Sequence, residues 1–276
     1  MVAPMRILVF DSGLGGLTVH REIVAALPGA AFVYAADDSA FPYGAWAADD
    51  LVWRVVAVMR RLVADVRPDV VVVACNTAST LVLPHLRAAF AGIPFVGTVP
   101  AIKPAAEGTK SGLISVLATP GTVARDYTRD LVSSFAAHCS VELVGSTHLA
   151  ALAEDFMHAR PVPDADIARE IAPCFVARGD RRTDTVVLAC THYPLLMERL
   201  VRLAPWPVAW IDPARAIARR VAHVAGAQDA AGAALPAPGR ALFTSGAAPD
   251  AALAAVLARF GLVAGPSFGA PVARGE

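Results

Sequence analysis

The sequence has only four cysteines in 276 residues. That is too few for the dense framework by which small secreted domains are stapled. No CxxC or HxxxH spacing occurs, so the usual metal-ligand patterns are missing as well. No long apolar run is present either. Stretches such as 70–75 fall far short of the about 18 residues a membrane-spanning helix needs. The high mean hydropathy, +0.52, comes from dispersed Ala and Val. Charge of one sign is also absent: 24 Lys and Arg balance 24 Asp and Glu. A basic surplus of the kind that holds nucleic acid or an acidic membrane is therefore not available. The first ten residues hold one Arg and a short apolar run that meets Asp11, unlike a secretory signal. These absences together predict a reduced, cytoplasmic protein that binds neither nucleic acid nor membrane and holds no metal.

What is present is a large apolar fraction, 56% against 17% charged, which excludes disorder as the main state. At about 150 residues per domain the length allows nearly two domains. Short β-branched runs alternate with helical spacings. Strands are predicted over 6–10, 31–35, 69–74 and 94–97, with helices over 17–27, 49–66 and 78–91 between them. Around residue 98 the pattern restarts. Strands over 112–118, 141–144, 184–189 and 208–211 alternate with helices over 123–137, 167–177 and 194–203. An Ala/Gly/Pro loop spans 225–238, and a last strand (241–245) and helix (249–260) follow. Strands alternating with helices at this spacing predict an α/β fold with open parallel sheets covered on both faces.

The second pass repeats the first. Asp69-Val-Val-Val-Val-Ala-Cys75-Asn76-Thr77 matches Asp184-Thr-Val-Val-Leu-Ala-Cys190-Thr191-His192. In both, an Asp opens a strand and a Cys closes it. The strand leading to Asp11-Ser12-Gly13 likewise parallels the strand leading to Thr119-Pro120-Gly121. Ligands of open parallel sheets bind off the carboxyl ends of the strands, where Asp11, Cys75, Thr119 and Cys190 all fall. Two pseudo-symmetric halves that face one another would put one cysteine on each side of a central cleft.

Two thiols on opposite faces of a substrate suit a reaction that removes a proton from one face and returns one to the other. A free thiol is only about 3% thiolate at pH 7, and burial lowers that fraction. Each thiol therefore needs help. Asp11 can accept a proton or hydrogen bond from Cys75, although its charge cannot stabilise a thiolate. A protonated His192 can stabilise one at Cys190. Ser12, Asn76, Thr77 and Thr191 suit carboxylate binding by hydrogen bonds. Cys139 and Cys174 lack strand-end placement and read as core. His20, His85, His138, His148, His158 and His223 read as core or surface. A Cys-His hydrolase remains an alternative at this point. Asp11-Ser-Gly-Leu-Gly-Gly16 lacks the Lys of a phosphate-binding P-loop and the full dinucleotide fingerprint. Its glycines more simply permit a tight turn.

Several motifs occur together and in order: Phe10-Asp11-Ser12-Gly-Leu-Gly-Gly-Leu-Thr18, Pro42-Tyr43-Gly44, Ala74-Cys75-Asn76-Thr77, Pro100-Ala-Ile-Lys-Pro104, Thr119-Pro-Gly-Thr122 and Cys190-Thr191-His192-Tyr-Pro-Leu-Leu196. The set resembles glutamate racemases of the aspartate/glutamate racemase superfamily. The resemblance implies two α/β domains, 1–98 plus 210–276 and 99–209, with the active site in the cleft between them. It implies interconversion of L- and D-glutamate without a cofactor, the D isomer feeding peptidoglycan synthesis. Cys75 would serve the D-glutamate face and Cys190 the L-glutamate face. Asp11, His192 and Glu154 would assist. Asp11, Ser12, Pro42, Tyr43, Gly44, Asn76, Thr77, Thr119, Thr122, Thr191 and His192 would bind substrate. A family-like homodimer is the expected assembly. Departures from the family pattern fall at Ala36, Ala40, Ala45-Trp46 and Ser146-Thr147. An aspartate racemase on the same fold and a binding protein without turnover are the alternatives.

Overall fold

The computed structural model describes residues 4–226 and 237–269. The expected loop at 225–238 lies mostly outside them. The chain divides into two compact units, one of Met1–Thr98 and Ala214–Glu276, the other of Val99–Pro213.

The first unit opens with strands β1 (Arg6–Asp11), β2 (Ala31–Ala36), β3 (Val70–Val73) and β4 (Phe95–Gly97). The second holds β5 (Leu113–Ala118), β6 (Ser140–Gly145), a two-residue hairpin pair β7 (Ala177–Arg178) and β8 (Arg181–Arg182), β9 (Thr185–Ala189) and β10 (Ala209–Ile211). The chain then returns to the first unit for β11 (Gly239–Phe243) and β12 (Leu262–Ala264). The first sheet runs β12-β11-β2-β1-β3-β4 and the second β10-β9-β5-β6. All pairings in both sheets are parallel. Parallel strands are covered on both faces, which is why β3, all valine, and β9 are buried along their whole length.

In the first unit the helix Ala48–Val66 lays Leu51, Val55, Val58, Met59 and Leu62 into a core shared with Leu8, Phe10, Val71 and Val73. Gly16, just before the helix Leu17–Ala26, is needed for close approach. A Cβ there would stand 2.8 Å from Asp11 Cβ and 3.0 Å from Ala74 Cβ. In the second unit the helix Ile102–Gly108 packs Ile102, Ala105 and Ala106 against Ile114, Val116, Val187 and Ala189.

The aspartates that open the two repeated strands do the same job in each unit. Asp69 Oδ2 accepts from the backbone N–H of Arg6, at the start of β1, at 2.7 Å. Asp184 Oδ2 accepts from the N–H of Lys110 (2.7 Å) and Ser111 (2.8 Å), just ahead of β5. Thr109 donates to Asp184 Oδ1 at 2.6 Å. Burial opposes ionisation of Asp184, but these bonds outweigh it and hold its carboxyl below the usual range.

Several elements differ from the sequence expectation. The helix predicted from 78 begins at Asn76, immediately after Cys75. The helix predicted over 123–137 is split into a single turn, Pro120–Val123, and Asp126–Phe135. That predicted over 194–203 starts as a 3-10 turn, Tyr193–Leu196. The helix predicted over 167–177 is shorter, Asp164–Ile171. β10 pairs with β9, so the strand at 209–211 belongs to the second sheet. Helices Ile102–Gly108, Leu149–Met157 and Ala214–Val224, the β7–β8 hairpin and β12 have no counterpart in the sequence reading. Among the described residues no helix is long and apolar enough to cross a membrane.

Candidate active site

In the first unit Asp11 ends β1 and is fully buried. Its Oδ2 accepts the Gly13 N–H at 3.0 Å, and the buried Tyr34 hydroxyl donates to Gly13 O at 2.6 Å. These two bonds hold the Asp11-Ser12-Gly13 turn. One strand over, Cys75 follows β3 in extended conformation and caps the helix Asn76–Ala89. Its thiol donates to Ser12 Oγ at 3.8 Å. The helix start matters because its first N–H groups lack intrahelical acceptors and favour negative charge nearby. Asn76 and Thr77 occupy that first turn and are buried. Both side-chain amide atoms of Asn76 lack a hydrogen-bond partner among the described residues. Buried polar atoms are nearly always satisfied, so the Asn76 amide at this helix start is free to take a hydrogen-bonding partner.

Tyr43 is placed differently from its neighbours. Its ring is buried and its hydroxyl donates to Asp37 Oδ2 at 2.5 Å. Arg54 donates to the same carboxylate from Nε (3.1 Å) and Nη2 (2.6 Å), and Thr244 donates to Oδ1 at 2.7 Å. Burial first, then the Asp37 charge, pushes the phenol well above its ordinary value. The phenol is therefore an anchor, and the parts of this segment left to meet a ligand are its backbone, the exposed Pro42 and the half-buried Gly44. Arg54 was missed in the sequence, because its partner lies on a different element.

In the second unit Cys190 follows β9, and its Sγ lies 3.8 Å from His192 Nδ1. His192 Nε2 donates to Glu154 Oε1 at 2.7 Å. Glu154 Oε2 lies 3.8 Å from His158 Nε2, one helical turn on. Thr191 is buried beside Cys190. Thr119 follows the adjacent strand β5 and caps the turn Pro120–Val123, which carries Thr122; their hydroxyls are 3.1 Å apart and the Thr122 N–H donates to Thr119 Oγ1 at 3.3 Å. The structure thus joins Cys190, His192 and Glu154 in one line and adds His158, which the sequence reading set among core or surface histidines. The i, i+4 spacing from Glu154 was the available signal. It was unreadable without the helix Leu149–Met157.

The remaining cysteines behave as core. Burial pushes the Cys174 thiol up to about 12, and Cys139 packs against the second-unit core. The departures from the family pattern are accommodated locally. The Trp46 indole donates to Ala40 O at 2.9 Å. Ser146 donates to Glu170 Oε2 at 2.5 Å and accepts the Leu149 N–H at 3.1 Å, which steadies the helix carrying Glu154. Among the described residues no group of three or more His, Cys, Asp or Glu is arranged to hold a metal ion.

Two parallel α/β units, each closing a repeated strand with a thiol among polar side chains, describe an amino-acid racemase. A family model described as Asp/Glu/Hydantoin racemase matches residues 7–221, and the chain belongs to that family. It is 59% identical over 221 residues to the glutamate racemase of Brucella ovis, covering 80% of each chain. Among solved structures it resembles Escherichia coli glutamate racemase in complex with L-glutamate and the activator UDP-MurNAc-Ala. The TM-score is 0.85 at 40% identity, covering 97% of this chain and 100% of that one. A Bacillus anthracis glutamate racemase isoform gives 0.76 at 26% identity, covering 95% and 97%.

Proposed function

We propose that the chain interconverts L- and D-glutamate by a two-thiol acid/base reaction that needs no cofactor. The observation that carries this reading is the equivalent placement of Cys75 and Cys190. Each closes a repeated strand, with a helix start and an unsatisfied Asn76 amide beside the first and an imidazole–carboxylate pair beside the second. In the L to D direction the Cys190 thiolate takes the Cα proton and the Cys75 thiol returns one to the opposite face. In the D to L direction the roles reverse. His192, aligned by Glu154, accepts or returns the Cys190 proton. The orphan amide of Asn76, with Ser12, Thr77 and Thr191, suits the substrate carboxylates. Asp11 assists on the Cys75 side. Tyr43 holds the Pro42–Gly44 segment through Asp37. Glutamate is the proposed substrate because the relatives that match so much of the chain carry that name. D-glutamate would supply peptidoglycan synthesis in the cytoplasm, and a homodimer is the proposed assembly.

The test is Cα deuterium incorporation in D2O, starting separately from L-glutamate, D-glutamate and L-aspartate, with no added cofactor or metal. Exchange with inversion on both glutamate isomers is the expected result. Exchange on aspartate alone would change the substrate and keep the chemistry. Absence of exchange on all three would overturn the enzymatic reading.

A further inference from the structure

A two-thiol racemase leaves each turnover with its protons misplaced. After L to D conversion Cys190 carries the proton it removed, while Cys75 has lost its own. The next turnover in that direction requires the reverse arrangement. Cys190 must lose a proton and Cys75 must gain one before substrate binds again.

The second unit holds a line of groups suited to this reset. Cys190 Sγ, His192 Nδ1, His192 Nε2, Glu154 Oε1, Glu154 Oε2 and His158 Nε2 follow in sequence, with separations of 3.8, 2.7 and 3.8 Å between residues. Side-chain exposure rises along it, from 3% at His192 through 11% at Glu154 to 26% at His158. Each of these groups can both take and give a proton. We propose that His158 is the solvent port of a proton relay that resets Cys190 between turnovers. This rests on the racemase reading above.

The transfer balances. The Cys190 S–H proton passes to His192 Nδ1 as His192 Nε2–H passes to Glu154 Oε1. The protonated Glu154 then gives its proton to His158 Nε2, and His158 releases one to water. This leaves His192 as the Nδ1–H tautomer, and rotation of its ring restores Nε2–H before the next reset; one proton leaves for each turnover. The D to L direction runs the same line inward. His158 acts through Glu154 and touches neither substrate nor the reacting thiol. The two 3.8 Å separations, Cys190 to His192 and Glu154 to His158, are closed for transfer by side-chain rotation or a bridging water.

The experiment compares wild-type protein with His158→Gln in net L to D conversion across a wide range of glutamate concentration. At low substrate the free enzyme has time to reset, and kcat/KM should hold within about twofold. At high substrate reset becomes limiting, and the net rate of the variant should fall about tenfold, the lower edge of a lost proton-transfer step. Added imidazole buffer should restore that rate, because a soluble base replaces the port. A variant that loses rate equally at all concentrations, loses none, or is indifferent to imidazole would overturn the relay. His158→Asn, shorter but still polar, should reproduce the split; a loss of folded protein in one variant leaves the other to decide. Failure of wild-type protein to invert glutamate would overturn the racemase reading itself, and is seen before either variant is assayed.

Discussion

Each unit buries a carboxylate near its thiol, and the two carboxylates have opposite company. Asp37 in the first unit meets Arg54, Tyr43 and Thr244. A guanidinium never gives up its proton in a protein, and the Tyr43 phenol is held protonated by burial and by Asp37. Glu154 in the second unit meets two imidazoles, side chains with one nitrogen to donate a proton and one to accept it. The same α/β scaffold therefore builds a fixed anchor in the first unit and, under the proposed relay, a proton-handling chain in the second. A repeated topology does not oblige the halves to share a chemical role: the partner chosen for the carboxylate decides it.

That contrast breaks most completely if either thiol is dispensable. Cys75→Ser and Cys190→Ser should each lower turnover in both directions by about 10³-fold or more; a single variant that racemises at the wild-type rate would remove the two-thiol reaction. Arg54→Met tests the anchor. It leaves Asp37 buried without its cation and should cost about 3–5 kcal/mol, read from chemical denaturation.

A third effect belongs to the first unit alone. His20 is buried between Phe32 and Tyr34, and burial lowers it to about 4 despite the bond to Phe260 O. Above pH 6.5 both folded and unfolded forms are neutral there. As pH falls the unfolded chain protonates first, so stability declines from about 6.5 and levels off below about 4, for a loss of about 3 kcal/mol. His20→Gln should flatten that part of the acid limb of the unfolding curve. His192→Asn should reduce kcat by about a hundredfold while leaving the unfolding midpoint nearly unchanged, which separates a proton-handling residue from an anchor. Smallest is Tyr43→Phe, which removes one of several donors to Asp37 and should cost about 1 kcal/mol, with a modest rise in KM for glutamate as its readout.

The sequence made the alternation of strands and helices readable because each buried strand is a compact β-branched run, as at 70–73 and 185–189. It also placed Cys75 and Cys190 at strand ends, since the Asp that opens each run and the Cys that closes it fix the strand's length. Arg54 and Asp37 were not readable as a pair. They lie on a helix and beyond a strand end, and no local pattern couples them. The helix Leu149–Met157 was hidden by its composition, mostly Ala and Leu with no capping bond from the residue just before it, and His158 was hidden with it. The start of the helix at Asn76 was masked because Asn and Thr are weak helix formers, and here the strand's end dictates where the helix begins.

Asp69 and Asp184 stand at the ends of their strands farthest from the thiols. Neighbouring parallel strands share no tight turn to fix their alignment, and a slip of one residue turns every side chain to the other face. By clasping the backbone just ahead of β5, Asp184 sets which residue of β5 lies beside which residue of β9, down to the pairing of Ala118 with Ala189. Thr119 and Cys190 are the next residues along. The carboxylate is thus the gauge mark of the second unit, and an alteration there should be felt as a misaligned thiol a whole strand away.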